Sequence, residues 1–188
     1  MRQVVPLAEA ANFPFWKRPV TLLFVMAAAM PLSFAVWSAL LNNFVVEVIG
    51  FDRVDIGWLH TVREIPGFLA VGVITIIMLM HEQILGLVAF LLLGLATAVT
   101  AWFPSLAGIL TVTMLSSIGF HYYETVNQSL QLQWLSKKEA PKTIGLMLAA
   151  GSAATLVACG LILLGWRSLD LSFNFVYSVA GGATVLIS

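Results

Sequence analysis

Charge is what this chain has least of. Asp, Glu, Lys and Arg make up 10% of its 188 residues, against roughly 25% in a soluble globular domain. Nine acidic and nine basic residues cancel, so no nucleic-acid partner is implied. The single cysteine, Cys159, excludes an internal disulfide and reads as a small buried thiol. Three histidines, His60, His81 and His121, lack His-Glu-x-x-His spacing, and no Gly-x-x-x-x-Gly-Lys-Ser/Thr loop occurs. Neither a metal nor a nucleotide cofactor is implied. Gly-x-Ser-x-Gly is also missing. Gly151-Ser152-Ala153 with His121 is therefore a weak match to an intramembrane hydrolase, and the reading is not an enzyme.

What remains is apolar: 60% hydrophobic residues and a mean hydropathy of +0.98. No charge falls between Arg18 and Glu47, Glu64 and Glu82, Glu82 and Glu124, Lys142 and Arg167, or beyond Asp170. Crossing a bilayer takes about 20 residues. The gap before Glu124 is too long for one crossing, and Phe103-Pro104-Ser105 divides it. The runs are continuous rather than alternating, which argues against a membrane barrel. The expectation is an all-α polytopic bundle of six transmembrane helices, at 19–46, 54–80, 83–102, 106–134, 142–165 and 171–188. Residues 1–18 form a cytoplasmic lead, and 19–188 form the bundle. The lipid bilayer is thus the first partner.

Basic residues set the orientation. With a cytoplasmic N-terminus, Arg2, Lys17, Arg18, Lys137, Lys138 and Lys142 lie inside, and Arg53 and Arg167 outside. The expected location is a cell membrane, plasma or bacterial inner, crossed several times. Trp16, Trp102, Trp134 and Trp166 stand near span ends, as an aromatic belt requires. Asp52 reads as the N-cap of the second span, with Asp55 in its first turn. Gly145, Ala149, Ala150, Gly151, Ala153 and Ala154 offer close helix packing on the fifth. The third span, nearly all apolar, reads as lipid-facing or scaffold.

The fourth span carries the signal. Thr113, Ser117, His121, Glu124, Gln128 and Gln131 fall within an arc of about 80° at ~100° per residue. A stripe like this is costly in hydrocarbon unless it faces protein or water, so it predicts an internal cavity. His121 and Glu124 are three apart, neighbours on one face, and could exchange a proton during a transport cycle. Arg63 and Glu64 lie within the second span. Because Glu64 is ~100° around the helix, a partner for Arg63 is expected from another helix, with Asn42 or Asn43 closest in level. An anionic substrate group is the functional alternative. The substrate or ion pathway is therefore expected at Asn42, Asn43, Arg63, Glu64, Ser117, His121, Glu124 and Gln128.

Several segments resemble the amino-terminal half of a major facilitator superfamily (MFS) transporter. They are Gly50-Phe51-Asp52-Arg53-Val54-Asp55-Ile56-Gly57-Trp58-Leu59, Arg63-Glu64-Ile65-Pro66-Gly67-Phe68-Leu69 and Ile118-Gly119-Phe120-His121-Tyr122-Tyr123-Glu124. Gln131-Leu132-Gln133-Trp134-Leu135, with the basic loop after it, is similar too. The resemblance covers roughly residues 15–188. It implies two inverted three-helix repeats, with helices 1 and 4 lining a central cavity and alternating access around it. It also implies a secondary transporter of a small solute, with a proton as a possible co-substrate. The other cavity wall would come from a missing carboxy-terminal six-helix half or a second copy. Two departures stand out. The short Met80-His81-Glu82-Gln83 replaces the family's Gly-x-x-x-Asp-Arg loop, and Ala158-Cys159-Gly160-Leu161 lacks the Gly-Pro pair of its drug–proton antiporters. A non-transporting membrane scaffold is the competing class.

Overall fold

The computed structural model describes residues 13–188, so Arg2 lies outside the described residues. Of the described residues 87% are helical and none is in a strand. The helices are α1 (Pro19–Phe44), α2 (Arg53–Leu69), α3 (Val73–Ile77), α4 (Glu82–Val99), α5 (Leu106–Trp134), α6 (Ala140–Ser168) and α7 (Phe173–Ile187). Local chemistry sets several boundaries. Asp52 Oδ1 accepts from the amides of Val54 at 2.7 Å and Asp55 at 2.9 Å, while the Asp55 carboxylate accepts from the Asp52 amide at 3.2 Å. This reciprocal capping starts α2 as its sequence implies. Ser105 caps α5 after the Phe103-Pro104 break. At its far end α1 relaxes into a π turn, Val45–Ile49, which Gly50 ends at φ +81°. That left-handed backbone is one glycine adopts freely. A 3-10 turn, Ala70–Gly72, joins α2 to α3, just after Pro66.

Four helical stretches are long and apolar enough to cross a membrane: Pro19–Ile49, Arg53–Ile77, Glu82–Trp102 and Ala140–Trp166. Phe173–Ile187 is apolar but shorter. α5 has the length, 29 residues, and its polar stripe lowers its hydropathy. Large apolar side chains cover the outside; Phe68, Leu79, Leu163 and Leu186 are at least 78% exposed. A water-facing surface rarely carries so much apolar area, so the exterior suits lipid.

The main packing pairs are α4 with α5, α1 with α6, α4 with α7, α2 with α5, and α1 with α7. α4 is the most enclosed of the long apolar stretches, with buried Leu85, Ala89, Phe90 and Leu93. Its other face, with Ile84, Val88, Leu91, Leu95 and Val99, is exposed and apolar, so it serves as scaffold on one side and suits lipid on the other. The expected adjacency of the second and third spans holds chiefly at α3, beside their connecting turn, because a short loop fixes only the ends it joins. Backbones come close where glycines meet. A Cβ on Gly119 would sit 2.7 Å from the Ala89 carbonyl, and one on Gly181 2.3 Å from the Ala98 amide. On α6 only Gly151 makes such an approach, to the Ala27 carbonyl at 2.8 Å. Gly145 meets nothing within 4 Å, and Ala149 and Ala153 are exposed. Trp134, the last residue of α5, is buried in an apolar cluster with Leu23, Leu130 and Met147. Trp16 and Trp102 are exposed.

Candidate functional site

The polar stripe of α5 does not face one cavity. It faces two, because α2 covers its first half and leaves its second half open. Thr113 and Ser117 are buried. The Ser117 hydroxyl donates to the Arg63 carbonyl and ties α5 to α2. His121 packs on Gly67, where an added Cβ would lie 3.1 Å from the ring.

The first cavity, about 140 Å³, lies between α1, α2 and α5. Arg63, Glu64, Ser116, Ser117 and His121 supply its polar wall, and Phe34, Trp37 and Phe120 its aromatic wall. Phe34 stacks on Phe120 at 4.6 Å. The Trp37 indole N–H has no hydrogen-bond partner among the described residues. Arg63 pairs with Glu64, not with another helix: Nε donates to Oε1 at 2.9 Å, and Nη2 lies 2.9 Å from the same oxygen. This corrects the expected partner. The ~100° between adjacent residues is spanned by the long, flexible guanidinium side chain. Asn42 and Asn43, also expected on the pathway, are exposed and line neither cavity.

The second cavity is a groove of about 640 Å³ between α1, α5 and α6. Glu124, Asn127, Gln128 and Gln131 line it from α5, Ala27, Met30 and Pro31 from α1, and Met147, Gly151, Ser152 and Thr155 from α6. Tyr123 Oη and Asn127 Oδ1 have no hydrogen-bond partner among the described residues. Pro31 carries no N–H, so the Ala27 carbonyl four residues earlier lacks its helical donor. Both residues line the groove.

His121 and Glu124, expected as a proton-exchanging pair, thus open on different cavities. Three residues advance a helix by 300°, leaving the two side chains about 60° apart, enough to fall on either side of a ridge. Arg63, Glu64, Ser117 and His121 come together in the first cavity, and Glu124 and Gln128 in the second. Sequence reasoning missed Asn127 and Thr155, and weighed Ser152 only as part of a weak hydrolase match. The signal was present on α6, where 144, 148, 151, 152 and 155 step by four, three, one and three along one helical face. It was masked by the small-residue reading of the same segment.

A further polar cluster joins the start of α4 to the end of α5. The Glu82 carboxylate accepts from Ser129 at 3.2 and 3.3 Å and from Gln133. No group of three or more His, Cys, Asp or Glu able to hold a metal occurs among the described residues.

The fold and its cavities define a helical bundle whose exterior suits lipid and whose interior carries polar clefts. Compared with known protein families, curated proteins and solved structures, the chain matches none.

Proposed function

We propose that this chain is one six-helix half of an MFS-type secondary transporter, moving a small solute across a cell membrane by alternating access. All six helical stretches would then cross the bilayer, with the N-terminus cytoplasmic. The observation that carries the reading is the groove: the polar face of α5 opens on a space walled by α1 and α6, at the depth of the α1 proline. Buried polar groups at that depth mark solute or ion pathways.

The packing pattern supports the same reading. Exchanging the first three spans for the last three maps α4·α5 onto α7·α1, α1·α6 onto α5·α2, and α4·α7 onto itself. Two inverted three-helix repeats would pack this way. In this scheme the first and fourth spans, α1 and α5, correspond, and both line both cavities. The groove is open on one side, which a second six-helix body, from a longer chain or another copy, would close. The long stretches least enclosed in the bundle are Arg53–Ile77 and Ala140–Trp166. They leave apolar surface to receive it.

The reading is tested by thiol accessibility in membranes, using a Cys159→Ser background of the full-length protein. Gln128→Cys and Ser152→Cys should react with a membrane-impermeant thiol reagent added from either face, and Leu163→Cys from neither. Silence at both groove positions would remove the hydrated cavity, and reaction from one face only would remove alternation.

A further inference from the structure

The groove's polar wall carries one carboxylate among neutral groups and no cation. Glu124 is its one carboxylate, and no Lys, Arg or His lines it. Glu124 makes no ion pair among the described residues, where Arg63–Glu64 is the one pair present. Beside it on α5, Asn127 Oδ1 and Tyr123 Oη are buried without a hydrogen-bond partner among the described residues. Arg63 and His121 line the other cavity. An unpaired carboxylate at membrane depth is costly, so a cation brought to it gains from neutralising it. An anion meets repulsion and a neutral solute gains nothing from the charge. Opposite the polar wall, Met30, Met147, Leu148 and Leu156 offer an apolar one.

We infer that the groove binds an amphipathic organic cation, its protonated amine or quaternary ammonium head against Glu124 and its apolar body along α1 and α6. This rests on the reading of the groove as the solute path and names the class of solute. The volume, about 640 Å³, falls within the ~300–1,000 Å³ range of small-molecule sites.

The test uses purified full-length protein and three probes of similar size: benzyltrimethylammonium, benzyl alcohol and phenylacetate. Binding is followed by calorimetry and by the thermal unfolding midpoint. The cation should bind saturably and raise the midpoint, and phenylacetate should do neither. Glu124→Gln should weaken the cation by about tenfold or more, the scale of losing one partner of a desolvated charge pair. Glu124→Asp should retain most of the affinity, which separates charge from folding. Selectivity of the unmutated protein needs no variant. If phenylacetate or benzyl alcohol binds as tightly as the cation, or Glu124→Gln binds it unchanged, the inference is overturned. If one of those probes then loses binding in Ser152→Trp, the groove remains a solute site of another class. If no probe binds, the inference falls, and the two-sided thiol labelling decides the solute path separately.

Discussion

Arg63 and Glu64 show how far a residue's partner can be read from spacing. Their backbone directions differ by ~100°, yet the ion pair forms between them. The Asp52 cap, by contrast, was legible, because capping depends on a few neighbouring backbone amides and not on tertiary rotation. The pair predicts a non-additive response. Arg63→Leu alone leaves Glu64 uncompensated at membrane depth, and Glu64→Leu alone leaves Arg63 so. Both together remove the problem. Each single variant should lower the yield of folded protein more than the double variant does, measured as monodisperse protein after size exclusion. A double-variant loss equal to the sum of the two single losses would mean that the two side chains act independently. Gly50 gives a cleaner residue-scale case. Its φ is +81° and nothing lies within 4 Å of an added Cβ. Gly50→Ala should therefore cost only the conformational penalty, about 1 kcal/mol, read as a shifted unfolding midpoint without change in solute binding.

At the scale of elements, the sequence located six helical stretches within a few residues, because charge gaps and proline breaks are local signals, but it did not foresee the 3-10 turn that divides the second into α2 and α3. It did not show which face of each helix meets a neighbour. Gly145, Gly151 and Gly160 all lie on α6, and only Gly151 touches another backbone. The same limit explains why one stripe on α5 became two sites. The stripe's arc is a property of the helix, and its division is made by α2, which ends its cover near Gly67 and His121. A paired substitution tests the packing. Gly181→Ala places a methyl group 2.3 Å from the Ala98 amide and should destabilise the bundle by roughly 1–3 kcal/mol, the usual range for overpacking. Gly160→Ala meets nothing within 4 Å and should leave stability unchanged or raise it by up to about 1 kcal/mol through helix propensity. Thermal or SDS unfolding midpoints distinguish the two, and similar effects at both positions would discount the close α4–α7 approach.

At the scale of the whole molecule, the principal contacts run between the first three helical stretches and the last three, not within either set. α1 packs on α6 and α7, α2 on α5, and α4 on α5 and α7. Each set alone would leave its small-residue faces without partners, and in lipid close packing rather than hydrophobicity holds helices together. The Phe103-Pro104-Ser105 break contributes little to this interlock, since Trp102 and Phe103 are exposed and Ser105 serves mainly as the α5 cap. Cutting the chain there should therefore be tolerated. Residues 1–103 and 104–188, expressed together from separate reading frames, should copurify in detergent as one complex. They should restore thiol labelling at Gln128→Cys and Ser152→Cys. Either piece expressed alone should be degraded or aggregate, because the groove and the α4–α5 seam each need helices from both. If the first piece alone were stable and monodisperse, the bundle would be two stacked units and not one interlocked body. The symmetry of its packing would then carry no argument for a shared solute path.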